Sequence, residues 1–203
     1  MKEIFHKKII NTDVYVWKMI SSYEDQIKNP LLNSAELISA KELKNEKRKK
    51  EFLSSRIALK KIFNKELELK HHTSGKPFIK EAKHLSISHS SEFLALAYGD
   101  KNIGIDIEKP QNRMVKLMPK ILSEIELMEF KKEPSIDLAC KLWGAKEAIL
   151  KYVGDKNLNY KKDIKVENIQ LGIATYLKMN FKVEFEKIEN MILTYVVRSD
   201  KTK

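Results

Sequence analysis

The chain has one cysteine, Cys140, among its 203 residues. That excludes an internal disulfide framework and suits a reducing cytoplasm, which is the compartment expected from sequence. No stretch reaches the ~20 consecutive apolar residues a membrane helix needs, and the first nineteen residues carry lysines without the unbroken apolar run of a signal peptide. No membrane partner is expected. Six glycines and five prolines nowhere gather into a Gly/Ser-rich linker, so any two halves should pack closely. Zinc-type cysteine spacing, a glycine-rich phosphate loop and a ribonucleoprotein aromatic motif are all missing.

What is present is a core-forming share of apolar residues, 42%, and an excess of positive charge, 39 Lys+Arg against 28 Asp+Glu for a net +11. A basic surface favours polyanionic partners: nucleic acid, a phosphorylated cofactor or an acidic protein. A run such as Lys47-Arg48-Lys49-Lys50 reads first as a solvated face, and nothing beyond charge supports nucleic acid.

Apolar periodicity predicts a strand over 14–19, then helix through 35–63 with Asn33 and Glu36 at its cap, then strands over 76–79, 85–88 and 93–98. A second round follows: a strand over 103–108, helices through 114–153, and strands near 164–169, 181–185 and 191–197. The fold class expected is α+β, with strand, helices and strands occurring twice, in halves 1–101 and 102–203. Ser123 and Glu126 have the spacing of a capping box.

Two segments carry chemistry. In Gly104-Ile105-Asp106-Ile107-Glu108, strand alternation points both carboxylates one way and both isoleucines into a core. Neighbouring carboxylates repel unless a cation lies between them, which suggests a hard metal such as magnesium bound through oxygen. The helical Trp143-Gly144-Ala145-Lys146-Glu147-Ala148-Ile149-Leu150-Lys151 adds a third carboxylate at Glu147, with Lys151 one turn further along the same face.

Upstream stand Phe52-Leu53-Ser54-Ser55-Arg56-Ile57-Ala58-Leu59, Gly75-Lys76-Pro77 and Leu85-Ser86-Ile87-Ser88-His89-Ser90. In this order, from about residue 44 to 154, the five segments resemble the 4′-phosphopantetheinyl transferases of the surfactin-synthetase-activating, broad-range type. The resemblance implies a pseudo-twofold tandem with the active site between the halves, in a monomer that imitates a dimer. It implies transfer of the 4′-phosphopantetheine arm of coenzyme A to a serine of an acidic apo acyl carrier protein, or of a peptidyl or polyketide carrier domain. Adenosine 3′,5′-bisphosphate leaves; this is the holo-acyl-carrier-protein synthase reaction of fatty acid, polyketide or nonribosomal peptide biosynthesis. Asp106, Glu108 and Glu147 would hold Mg2+, or Mn2+. Glu147 or a metal-bound water would take the serine proton. Lys151 would contact the pyrophosphate, and Lys146 is a further candidate, although a solvated lysine beside Glu147 would look identical. For coenzyme A the resemblance implies Arg56, Gly75, Lys76, Pro77, Ser88 and His89, together with Asp106 and Lys151, and one of Lys47, Arg48 and Lys49 near the 3′-phosphate. Trp143 reads as packing that positions Glu147, and His6, His71, His72 and His84 as loop residues. The competing classes are a non-catalytic binder of coenzyme A or of a carrier protein, and a basic nucleic-acid-binding protein.

Overall fold

The computed structural model describes residues 1–199. Its first half runs β1 (Lys2–Ile9), β2 (Thr12–Lys18), α1 (Tyr23–Gln26), α2 (Ser34–Glu42), α3 (Glu46–Phe63), β3 (Lys70–His71), β4 (Pro77–Phe78), β5 (His84–Ser90) and β6 (Phe93–Gly99). Its second half runs β7 (Gly104–Glu108), α4 (Asn112–Ile121), α5 (Glu124–Lys132), α6 (Ile136–Val153), β8 (Ile164–Asn168), β9 (Ile173–Tyr176), β10 (Met179–Ile188) and β11 (Met191–Arg198). The class is α+β. Among the described residues three antiparallel sheets form, ordered β1-β2-β6-β5, β7-β11-β10-β9-β8 and the small β3-β4. The sequence division at 101/102 falls between β6 and β7; positions 200–203 of the second half lie outside the described residues.

Local chemistry explains the boundaries. The single helix expected over 35–63 is two, because Leu43 is extended and the Asn45 side chain accepts from the Arg48 amide to start a new helix. Asn33 with Glu36 and Ser123 with Glu126 form the expected capping boxes. The strands not anticipated are β1, whose lysine-rich sequence hides its alternation, and the short β3 and β9.

The halves share a core. Ile105 and Ile107 of β7 pack with Val14 and Val16 of β2, Ala95 and Ala97 of β6, and Leu193 and Tyr195 of β11. Each fully buried aliphatic contributes roughly 1.5–3 kcal/mol. Edge strands β5 and β7 are joined by serine hydroxyls: the Ile105 and Ile107 amides donate to Ser86 Oγ and Ser88 Oγ at 3.1 and 3.3 Å. An edge amide that would otherwise lack a ladder partner is thereby satisfied. A second core packs α4, α5 and α6 on the five-stranded sheet, and a third packs α3 on the four-stranded one. Among the described residues no helix is long and apolar enough to cross a membrane.

Candidate active site

The site forms where α6 crosses the β5/β7 junction. Close approach is possible because Gly104 and Gly144 lack side chains. A Cβ at Gly104 would come within 1.9 Å of the Ala148 carbonyl, and one at Gly144 within 2.5 Å of Thr194 Oγ1. With the helix seated this low, Lys151 Nζ reaches Asp106 Oδ1 and Ser88 Oγ, each at 2.7 Å. Ser88 Oγ spends its one proton on Asp106 Oδ1 at 2.7 Å and accepts from Lys151 and from the Ile107 amide. Asp106 Oδ2 is buried with no hydrogen-bond partner.

The other two carboxylates flank this cluster. Ser90 Oγ donates to Glu108 Oε2 at 2.7 Å and Arg113 Nη2 stands 3.6 Å from the same oxygen. Glu147 accepts a hydrogen bond from the Tyr160 hydroxyl. Burial raises the Glu147 carboxyl above the usual range, and the charges of Asp106 and Glu108 push the same way against Tyr160 and Lys151. Glu108 is raised by burial first and then by Asp106, while its hydrogen bonds with Ser90 and Trp143 oppose the rise. Glu108 and Glu147 thus each feel the charge of Asp106, whose Oδ2 is buried and unpartnered. Such an all-oxygen donor set suits a hard divalent cation, and the orphaned Asp106 Oδ2 fits one. Among the described residues, no three His, Cys, Asp or Glu side chains are already gathered as metal ligands.

Two adjoining cavities share Gly75, Pro77 and Ile87, and the first reaches the cluster at Lys151. One, of about 380 Å³, is lined by Lys76, Ser86, Lys151, Lys156 and Tyr160. The other, of about 320 Å³, is lined by Arg48, Ser55, Arg56, His71 and His89. Gly75, at φ +84, makes the turn between them, and a side chain there would meet Lys156 Cε at 3.2 Å. A third cavity, of about 790 Å³, is lined by Glu36, Arg56 and Glu66 and reaches neither Lys151 nor Tyr160. None of the three is lined by Asp106, Glu108 or Glu147, and the 380 Å³ one meets the cluster through Lys151 and Tyr160.

The expected residues divide by environment. Asp106, Ser88 and Lys151 touch directly, with Glu108 and Glu147 on either side. Arg56 stacks on the Phe52 ring at 3.3 Å, and burial lowers its guanidinium to about 10 while Glu36 opposes. His89 Nε2 lies 2.9 Å from Ser55 Oγ, whose proton goes to the Glu51 carbonyl, so His89 donates to Ser55. Burial, then the charges of Lys151 and Arg48, lower His89 to about 3. It is therefore neutral at neutral pH and serves as a donor, not a cation. Lys76 Nζ is engaged by Asn102 Oδ1 and the Tyr152 carbonyl at 3.0 and 2.8 Å, closing the end of α6.

Lys146 requires a correction. It is wholly buried and gives its three protons to Glu126 Oε2, the Tyr160 carbonyl and the Ile164 carbonyl at 2.8–2.9 Å, so it lines neither cavity. Trp143 packs as expected and touches the Tyr160 ring with centroids 5.8 Å apart. Of the histidines read as loop residues, His71 lies in β3 and lines the second cavity, and His6 and His84 lie in β1 and β5. Tyr160 and Ser55 were missed by sequence reasoning. The alternation Ser86, Ser88, Ser90 in β5 was the available signal for the junction, because residues two apart share a strand face.

Residues 102–192 match the family model of the 4′-phosphopantetheinyl transferase superfamily. The chain is 29% identical over 101 residues to the 4′-phosphopantetheinyl transferase gsp of Aneurinibacillus migulanus, covering 48% of this chain and 43% of that protein. It is 33% identical over 85 residues to the 4′-phosphopantetheinyl transferase Sfp of Bacillus subtilis strain 168, covering 39% and 38%. The matched stretch thus spans about two fifths of these relatives, and over it the chain is similar to the superfamily.

Proposed function

We propose that the protein transfers the 4′-phosphopantetheine arm of coenzyme A to the serine of an acidic apo carrier protein, releasing adenosine 3′,5′-bisphosphate, as a cytoplasmic enzyme of the surfactin-synthetase-activating type. The observation that carries this reading is the buried, unpartnered Asp106 Oδ2 beside Glu108, Glu147 and the Lys151 ammonium. Asp106, Glu108 and Glu147 would hold Mg2+, or Mn2+, which would neutralise charge on the pyrophosphate oxygens. Lys151 presents an ammonium to the same phosphates. Glu147, raised by burial, takes up the serine proton.

The nucleotide end occupies the cavity of Arg48, Arg56 and His89. There the two guanidinium groups supply charge to the 3′-phosphate and neutral His89 holds Ser55 in place. The two halves repeat one plan. In each, the first strand of the repeat, β2 or β7, pairs antiparallel with its last, β6 or β11, and an 18-residue helix, α3 or α6, lies between them in sequence. That repetition supports a pseudo-twofold monomer with its site at the junction.

The test is incubation with an apo carrier protein, coenzyme A and magnesium, read by mass spectrometry of the carrier. Gain of the phosphopantetheine mass that depends on magnesium supports the reading. An unchanged carrier mass across fatty-acid, polyketide and peptide-synthetase carriers would overturn it.

A further inference from the structure

Tyr160 belongs to the stretch between α6 and β8, which has no regular structure and would ordinarily be mobile. Here it is pinned from several sides. The Asn159 amide donates to Asp163 Oδ2 at 2.7 Å while the Asp163 amide donates back to the Asn159 carbonyl at 2.8 Å. The Tyr160 carbonyl accepts from Lys146 Nζ at 2.8 Å, its ring lies against Trp143, and its hydroxyl donates to Glu147 Oε1. Lys146 is itself fixed by Glu126, whose second oxygen accepts the Val166 amide at 2.8 Å. Consecutive residues of α6 therefore hold the two polar ends of one tyrosine: Lys146 its carbonyl, Glu147 its hydroxyl.

Burying an ion pair is costly, and replacing both partners together by apolar side chains of similar size is often neutral or stabilising, although removing one alone is not. The buried Lys146–Glu126 pair therefore calls for a positional explanation. We propose that Tyr160 is a positioning residue for the Glu147 carboxylate, and that the buried Lys146–Glu126 pair holds Tyr160 in place. This rests on the transferase reading above. The hydroxyl engages one carboxylate oxygen and so fixes the carboxylate plane, while Tyr160 itself lines the cavity with Lys151 and Ser86. Outer partners of ligating carboxylates act in this way, and their loss typically costs about 10- to 100-fold in metal affinity or activity.

The experiment compares the unmodified protein with Tyr160→Phe, which keeps the ring on Trp143 and removes only the hydroxyl, and with Glu147→Gln. Mn2+ binding is followed by electron paramagnetic resonance, carrier modification by kcat and KM, and folding by Tm. For Tyr160→Phe the expected result is an Mn2+ Kd weaker by about tenfold and kcat lower by about tenfold, with KM for coenzyme A within about twofold and Tm nearly unchanged. If the unmodified protein binds Mn2+ and modifies the carrier, and Tyr160→Phe matches it in Kd and kcat, the positioning role is overturned while the transferase reading stands; a lowered Tm with unchanged Kd and kcat overturns it equally. An unmodified protein that neither binds Mn2+ nor modifies any carrier overturns the transferase reading and the positioning role with it.

Discussion

The helices α3 and α6 are built to one plan and put to different use. Each is 18 residues long, each ends at a left-handed residue, Asn64 or Gly154, and each buries one lysine almost completely, Lys60 or Lys146. Toward the junction α3 turns hydroxyl and guanidinium, Ser55 and Arg56, whereas α6 turns carboxylate and ammonium, Glu147 and Lys151. Two helices of equal length thus carry different side chains to the junction, and on the transferase reading proposed above α3 serves anion recognition and α6 acid–base chemistry.

The comparison breaks most visibly in kinetics. Glu147→Gln should lower kcat by roughly 10²- to 10⁴-fold, the usual size of a general-base contribution, with little change in coenzyme A affinity. Arg56→Ala should act on the other term, raising KM for coenzyme A while kcat moves much less. Steady-state kinetics with both substrates varied checks this, and equal losses of kcat in both variants would mean that the two helices do not divide the work.

The buried lysines break it next. Removing Lys146 leaves Glu126 buried without its cation and two carbonyls without a donor, so Lys146→Met should cost about 3–5 kcal/mol. Lys60 leans on Glu36, which keeps Arg56 Nε at 3.9 Å, and on Glu66, which is exposed enough to rehydrate. Lys60→Met should therefore cost less, about 1.5–3 kcal/mol. Urea unfolding of both variants measures the difference, and a larger loss at Lys60 would contradict the ranking.

Much of this was legible in the chain and some was not, for physical reasons. Strand alternation gave the common face of Asp106 and Glu108, and helical spacing gave Glu147 with Lys151, because both follow from backbone periodicity. The role of Lys146 did not follow. A lysine beside a glutamate on a helix reads the same whether it points to water or into the fold, and only the Glu126, Tyr160 and Ile164 partners, 14–20 residues away, decide it. Tyr160 was hidden for the same reason: it lies in a stretch without periodicity, and its hydroxyl meets Glu147 only after the chain has turned past Gly154. The break at Leu43 was missed because residues 44–51 are all polar and offer no apolar periodicity in which a break would show, leaving Asn45 as the local sign of a new cap.

Acid sensitivity separates the halves by a smaller amount. Burial and the charges of Lys151 and Arg48 hold His89 at about 3, below its ordinary 6.5. Between those values the unfolded chain binds a proton that the folded protein does not, so the stability present above pH 6.5 is lost as pH falls toward 3. The slope from this one group is at most about 1.4 kcal/mol per pH unit. His89→Gln, which retains a donor for Ser55, should flatten the acid side of a Tm-against-pH curve; an unchanged slope would show that His89 is protonated in the folded state.

The smallest expected effect concerns the N-terminal cavity alone. Coenzyme A at about 100 times its Kd should add roughly 2.7 kcal/mol of apparent stability by mass action. Dephospho-coenzyme A lacks the 3′-phosphate proposed to meet Arg48 and Arg56, which line this cavity, so at the same concentration it should raise Tm by less. Arg56→Ala and His89→Ala should narrow the gap between the two ligands, the first by removing charge and the second by releasing Ser55. Lys76→Ala should narrow it less, because the Lys76 ammonium is engaged by Asn102 and the Tyr152 carbonyl and its loss weakens the end of α6 before it weakens anion binding. Thermal shifts with both ligands across the three variants order these contributions. Equal shifts for the two ligands in the unmodified protein would place the 3′-phosphate outside this cavity and leave α3 without its side of the comparison.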